Sequence, residues 1–233
     1  MRKIEFKNGL WDGLPICLGY LAVSFSFGML AKKGGLPGWS AIALSMTNLT
    51  SAGQFAALNL MLASAPLTEI GLTTLIINIR YLLMSLVLSQ KIEKMSLGKR
   101  LLVSAGITDE IFTVASTRHQ PAGFWYMLGL IAAPYAGWSL GTILGVFVNG
   151  LLPASVSAAL GISLYAMFIA IVIPAARRDK AVLATLGIAV GLSCLLRYVP
   201  VFAGISEGWA IILVTLVTAA AAAAVFPRKE ARE

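Results

Sequence analysis

Long apolar runs constrain this chain more than any other feature of its sequence. Seven runs, each of about 18 to 26 residues, lie at 14–31, 39–64, 67–90, 124–148, 154–175, 181–198 and 208–226. A helix rises about 1.5 Å per residue, so each run can cross roughly 30 Å of hydrocarbon. The period-two alternation of a transmembrane barrel is absent. Because only 12% of the 233 residues are charged, the sequence predicts an all-α polytopic membrane protein with about seven transmembrane helices.

An eighth segment, "LLVSAGITDEIFTVAST" at 101–117, is shorter and more polar. The acids in its middle make an ordinary lipid-facing span unfavourable. We expect this segment to be re-entrant, broken, or surrounded by other helices. Loops between the runs are short, which indicates a single transmembrane transporter domain over residues 1–233.

The formal net charge of +8 comes from short basic clusters between apolar runs. Such clusters set topology and contact lipid headgroups, so we expect the lipid bilayer, and no nucleic acid, as partner. The loops at 65–66 and 149–153 carry no basic residue. This pattern favours an external N-terminus with seven spans. The alternative is an internal N-terminus with both 39–64 and 101–117 re-entrant.

A weak internal repeat is consistent with the first topology. "LPGWSA" at 36–41 precedes "IRY" at 79–81, and "LPASVSA" at 152–158 precedes "LRY" at 196–198. The separations from Pro37 to Arg80 and from Pro153 to Arg197 are nearly equal. We therefore predict an inverted repeat of three helices plus three, over about 10–100 and 124–226, as in many secondary transporters. Coincidence between short motifs is the alternative.

Three ionisable residues lie deep within apolar segments. Asp109 and Glu110 are the two acids in the middle of an apolar stretch, and Arg80 is the deepest basic residue. A lone charge in hydrocarbon costs about 3 kcal/mol or more, so we expect these groups to contact one another, a hydrated cavity or a charged substrate. Burial disfavours the ionised form of such an acid and Arg80 favours it. A permanent ion pair that only holds helices together is the alternative.

Helix geometry limits how these residues can act together. Adjacent residues point about 100° apart, so Asp109 and Glu110 cannot share a partner on a regular helix. Asn78 and Arg80 point to nearly opposite faces, whereas Asn78 and Tyr81 share one. Either the helix opens near Asn78, or one of the pair lies away from the site.

The second run contains "MTNLTSAGQFAALN", whose polar residues recur at helical spacing. Asn48, Ser51 and Gln54 are among them, and Ala52-Gly53 is a place where the backbone could open. Backbone groups exposed by a broken helix are tolerated at membrane depth around a cavity. Together with Arg80, these groups could bind a zwitterion. Backbone amides and Arg80 would bind its carboxylate, and backbone carbonyls and a carboxylate would bind its ammonium group. Close packing of small residues is the alternative.

Enzyme chemistry finds little support in the sequence. The single histidine, His119, lies in a basic loop, and there is neither an HExxH motif nor a P-loop. Cys17 and Cys194 are isolated and have no metal-ligand spacing. We therefore expect no enzymatic activity, no cofactor and no metal site.

Four motifs occur in this order along the chain: "SAGQFAALNLM" at 51–61, "IINIRYLLMSLVL" at 76–88, "ITDEIFTVA" at 107–115 and "GWSLGTILG" at 137–145. The chain resembles the AzlC family of branched-chain amino-acid permeases over nearly its whole length. That resemblance implies export of branched-chain or related small amino acids across a bacterial inner membrane. It also implies a small AzlD-like membrane subunit as partner.

From the charged residues in apolar segments and the family resemblance together, we expect a proton-coupled exporter. A passive channel or pore for a small polar solute is the alternative. The expected substrate-binding residues are Asn48, Ser51, Gly53, Gln54, Asn78, Arg80 and Tyr81, with Asp109 and Glu110 as proton-coupling or ion-pair residues. The chain departs from the family at Tyr81, where a histidine is usual, and at Thr50-Ser51, where a bulky residue is usual. Tyrosine does not titrate near neutral pH, which puts a proton role at position 81 in doubt.

Overall fold

The fold is given by a computed structural model, which describes residues 2–118, 120–148, 153, 155–156, 159 and 162–227. The helices are α1 (Arg2–Lys33), α2 (Gly38–Thr47), α3 (Ser51–Leu62), α4 (Leu67–Asn78), α5 (Arg80–Lys91), α6 (Leu97–Ser104), α7 (Asp109–Thr117), α8 (Phe124–Val148), α9 (Ser163–Arg178), α10 (Lys180–Tyr198) and α11 (Glu207–Val225). Within the described residues the only β pairing is an isolated bridge between Ile92 and Ala122. The predicted all-α class is confirmed.

Five helical segments in the described part of the chain are long and apolar enough to cross a membrane. They are α1, α4 with α5, α8, α10 and α11. The run at 39–64 forms two helices of 10 and 12 residues, each too short to cross alone. The first part of the run at 154–175 lies outside the described residues. The number of spans and the inverted repeat therefore stay predictions.

The chain divides into two compact units, of which the first comprises residues 1–58 and 78–164. Its core joins α5, α6, α7 and α8 through buried apolar side chains. These include Leu88, Val103, Ile111, Tyr126 and Met127, each no more than 2% exposed. Burial of such side chains away from solvent and lipid fixes how the short helices α6 and α7 lie against α8.

Helices α1 and α8 of the first unit pack along most of their lengths through glycines. A Cβ added at Gly145 would lie 3.0 Å from the backbone nitrogen of Met29, and one added at Gly13 would lie 2.8 Å from the carbonyl oxygen of Leu130. Backbones can approach this closely only where side chains are absent, as is typical of membrane helix pairs. The α1–α8 pair is thus a rigid frame within the first unit.

The second unit comprises residues 59–77 and 165–233. There Glu69, in the first turn of α4, is 5% exposed and accepts a hydrogen bond from the hydroxyl of Ser206, directly before α11. Gly208 leaves room for this carboxylate, because a Cβ there would lie 2.5 Å from its Oε1. Arg197 lines a cavity of about 630 Å³ between α10 and α11. Most of the 152–158 motif, which precedes Arg197 in the same half of the predicted repeat, lies outside the described residues.

The glycine frame predicts a strong dependence of stability on the α1–α8 interface. Gly145→Ala should lower the stability of the protein by about 1–3 kcal/mol, because the new methyl group would overlap the backbone of α1. The measurement is the melting temperature of the purified protein in detergent. Gly191→Ala in α10 is the matched control, since nothing lies within 4 Å of a Cβ there. Equal melting temperatures for both variants would contradict this packing.

Candidate functional site

Three interruptions of helices in the first unit are linked by polar side chains. They lie at 48–50 between α2 and α3, at Ile79 between α4 and α5, and at 105–108 between α6 and α7. Thr50 at the first break donates a hydrogen bond to the side-chain oxygen of Asn78 at the second, over 2.7 Å. Arg80, next to the second break, pairs with Asp109 beside the third. We call Tyr20, Thr50, Asn78, Arg80, Tyr81, Asp109 and Glu110 the helix-break cluster.

The first break lies three residues earlier than the sequence suggested. Asn48 has an extended backbone, with φ −139° and ψ 97°, and Ala52-Gly53 is already within the first turn of α3. Thr47 and Thr50 are poor helix formers, and the hydroxyl of Thr47 bonds back to the carbonyl of Ala43. Gly53 has a packing role instead, because a Cβ there would lie 2.9 Å from the side-chain nitrogen of Asn78.

The second break resolves how Asn78 and Arg80 are used. α4 ends at Asn78 and α5 begins at Arg80, and the single turn residue between them, Ile79, keeps helical backbone angles of φ −57° and ψ −27°. Asn78 bonds to Thr50, whereas Arg80 reaches α7. Tyr81 joins the first group, because its hydroxyl lies 3.3 Å from that of Thr50. Both residues of the pair therefore belong to the helix-break cluster.

The ion pair of Arg80 joins α5 to α7. Its Nη2 lies 2.9 Å from Oδ2 of Asp109, and its guanidinium carbon lies 5.3 Å from the ring centre of Tyr81. Both paired side chains are about one third exposed, at 39% and 34%. Nε and Nη2 are themselves shielded from solvent and make no well-aligned hydrogen bond within the described residues. Because Nη2 already contacts Asp109, Nε is the nitrogen of this edge that has no acceptor within the described residues.

The third break puts the two acids at a helix N-terminus. The Thr108 hydroxyl accepts a hydrogen bond from the backbone nitrogen of Ile111, and Asp109 and Glu110 form the first turn of α7. Carboxylates are favourable there because the helix dipole is positive at that end. Glu110 does not face Arg80. It accepts a hydrogen bond of 2.5 Å from the hydroxyl of Tyr20 on α1.

Gln54 lies in a separate, buried network. Its Oε1 accepts from the indole of Trp138 over 3.0 Å, and its Nε2 donates to Ser45 over 2.6 Å. Ser45 in turn bonds to Thr142. Gln54 is only 2% exposed, and both ends of its amide are occupied. The network joins α2, α3 and α8 and gives Gln54 a structural setting apart from Arg80.

The structure therefore brings together part of the predicted set. Asn78, Arg80, Tyr81, Asp109 and Glu110 lie in the helix-break cluster, and Gly53 packs on Asn78. Asn48 lies in the first break, Ser51 directly follows it, and both are half-buried. Sequence reasoning missed Tyr20; the available signal was a tyrosine in the middle of an apolar run, whose hydroxyl needs a partner.

No group of three or more metal-ligating side chains occurs in the part of the chain that the structure describes. The cluster offers one guanidinium, two carboxylates, two phenols, one amide and one hydroxyl. Such a set can bind a small polar or zwitterionic molecule and can move a proton. It contains no nucleophile paired with a base of the kind that acyl transfer requires.

Comparison with known proteins decides the family. The model of the family described as "AzlC protein" matches residues 15–152, which include the whole helix-break cluster. The chain belongs to the AzlC family.

Members of the family and related membrane proteins are similar over most of their length. The chain is 28% identical over 214 residues to the inner membrane protein YgaZ of Escherichia coli (strain K12), covering 87% of each chain. It is 30% identical over 175 residues to an uncharacterized membrane protein of Archaeoglobus fulgidus, covering 74% of this chain and 77% of that one. No solved structure matches the chain. AzlC membership and these relatives support a role in membrane transport.

The Gln54 network predicts a structural cost when its indole donor is lost. Trp138→Phe should lower stability by about 1–3 kcal/mol, because Oε1 of Gln54 would be buried without its donor. The measurement is again the melting temperature in detergent. Trp125→Phe on the same helix is the matched control, since Trp125 is 37% exposed. If the control lowers the melting temperature as much as Trp138→Phe, the network does not have this role.

Proposed function

We propose that this AzlC-family protein is a secondary transporter that exports branched-chain or related small amino acids across a bacterial inner membrane. Export is coupled to protons and requires a small AzlD-like subunit. The observation that carries the proposal is the Arg80–Asp109 pair at the junction of three interrupted helices. The amino-acid class and the subunit follow from the family resemblance, and the membrane follows from the name of the Escherichia coli relative.

The chemistry of Arg80 suits the carboxylate of an amino acid. Nε and Nη2 form one edge of the planar guanidinium, and a carboxylate can accept from both at once. On this edge Nη2 contacts Asp109 at 2.9 Å, and Nε has no acceptor within the described residues. A substrate carboxylate that reached it would compete with Asp109 for the same cation. Binding of the substrate would then free the Asp109 carboxylate for the substrate ammonium.

The charge balance of the cluster favours proton coupling. One guanidinium and two carboxylates give a net charge of −1 when all are ionised, from +1 − 2. A net charge is unfavourable in a site surrounded by apolar helices, and a single proton neutralises it. A zwitterionic substrate adds no net charge. The cluster therefore alternates most easily between states that differ by one proton.

The interrupted helices supply the moving parts. Binding residues at 48–54, 78–81 and 108–110 belong to short helices, each joined to the next by a few non-helical residues. Short helices can tilt about such joints, whereas the glycine-packed α1–α8 pair resists deformation. We propose that alternating access moves the short helices against this frame. Polar backbone exposed at the breaks lines the substrate path.

The test is efflux of preloaded labelled valine from cells that express the protein with its AzlD-like partner. Arg80→Ala and Asp109→Asn should each reduce the efflux rate by about ten- to a hundredfold, the loss expected for one charge-assisted interaction. Arg177→Ala at the exposed end of α9 is the matched control for loss of an arginine. Expression of every variant is measured in the membrane fraction.

Three results would contradict the proposal or a part of it. Efflux at the unmutated rate in both Arg80→Ala and Asp109→Asn would show that this pair is not the binding site. Downhill flux that does not saturate and is indifferent to an uncoupler would indicate a passive pore for small polar solutes instead. Equal efflux with and without the co-expressed partner would remove the subunit from the proposal.

A further inference from the structure

The two adjacent acids of the helix-break cluster have different kinds of partner. Asp109 faces the guanidinium of Arg80, which is always charged. Glu110 faces the hydroxyl of Tyr20, which is neutral. One turn of one helix thus carries a carboxylate in an ion pair and a carboxylate in a hydrogen bond to a phenol. This difference decides which of the two carboxylates can be protonated at the lower cost in free energy.

Adding a proton to Asp109 would leave Arg80 as an uncompensated cation among apolar helices. Loss of this pairing is unfavourable, although the one-third exposure of both side chains lowers its cost below that of a buried pair. Adding a proton to Glu110 leaves a neutral carboxylic acid beside a neutral phenol. Two neighbouring carboxylates also repel each other, so one proton on the pair is favourable. The repulsion favours one proton on the two acids, and the ion pair of Asp109 with Arg80 assigns that proton to Glu110.

Tyr20 is held in place for this contact. It is 5% exposed, and its ring lies edge-on to Trp138 with 5.3 Å between the ring centres. Trp138 is fixed in turn by Gln54 on α3. The hydroxyl is thereby held on the rigid α1–α8 frame and directed at α7.

We propose that Glu110 is the carboxylate that takes up the transported proton and that Tyr20 is its positioning residue. The inference rests on the proton coupling proposed above and adds the identity of the carrier. The step moves one proton from the aqueous phase to a carboxylate oxygen of Glu110. The hydrogen bond from Tyr20 then changes from a charge-assisted bond to a weaker neutral one. Proton uptake therefore loosens α7 from α1.

The titratable or charged groups near Tyr20 and Glu110 come from three elements. Tyr20 lies on α1, Asp109 lies on α7, and Arg80 and Tyr81 lie on α5. Of these, Asp109 competes with Glu110 for a proton, because burial raises the pKa of Asp109 more than Arg80 lowers it. The experiment must therefore separate Glu110 from Asp109.

The first measurement is an infrared pH titration of the purified protein with its partner, which requires no substrate. The protonated-carboxyl band of the cluster should be lost in Glu110→Gln and kept in Asp109→Asn. In Tyr20→Phe its midpoint should move by about one pH unit or more to higher pH, because the ionised carboxylate loses a hydrogen-bond donor. Phenylalanine keeps the ring that packs on Trp138.

Tyr126→Phe is the matched control. Tyr126 on α8 donates to Asp12 over 2.7 Å, a tyrosine–carboxylate bond of the same kind outside the cluster. Loss of this hydrogen bond in Tyr126→Phe should not change the titration midpoint of the Glu110 band. Loss of the band in Asp109→Asn with retention in Glu110→Gln would overturn the inference. A midpoint in Tyr20→Phe equal to that of the Tyr126→Phe control would overturn the role of Tyr20.

The second measurement is transport in proteoliposomes. Glu110→Gln should lose the accumulation of valine that a proton gradient drives. Tyr20→Phe combined with Glu110→Gln should be no worse than Glu110→Gln alone, because both act through one bond. Absence of valine flux in the unmutated protein would refute the proposed function, while the infrared titration would still decide the carrier. Gradient-driven accumulation by Glu110→Gln at the unmutated level would overturn the inference.

Discussion

The ion pair between Arg80 and Asp109 is the interaction on which the rest of the first unit depends. Charges among apolar helices must be paired or hydrated, and here a cation from one broken helix meets an anion from another over 2.9 Å. To satisfy both charges, the first turn of α7, which carries Asp109, must lie next to the start of α5, which carries Arg80. The breaks at Ile79 and 105–108 make that geometry available.

The polar residues of the first unit serve two different purposes. The Gln54, Ser45, Trp138 and Thr142 network is buried and fully bonded, which ties α2 and α3 to α8. In the helix-break cluster Arg80 and Asp109 are about one third exposed, and Nε of Arg80 has no acceptor within the described residues. A fully bonded network contributes stability, whereas spare capacity beside a paired acid is suited to binding and release. The family match over 15–152 contains both groups.

Tyr20 connects these two purposes. Its ring packs on the structural network and its hydroxyl reaches Glu110. A change in the charge of Glu110 therefore acts directly on a contact between the rigid α1–α8 frame and the short helix α7. Coupling between protonation and movement needs such a contact, because an acid bonded only within its own moving element would change charge without changing the position of that element.

The sequence by itself determined the all-α membrane class, because apolar runs of about 20 residues have few other stable states in lipid. It also singled out Arg80, Asp109 and Glu110, since isolated charges in such runs are costly. The tertiary structure decided which acid meets Arg80, that Asn78 turns towards Thr50, and that Gln54 belongs to the Trp138 network. It also added Tyr20, which is 90 residues from Glu110 in the chain. Those choices depend on where each helix is interrupted and on what packs across it, and neither is encoded in residue spacing along one segment.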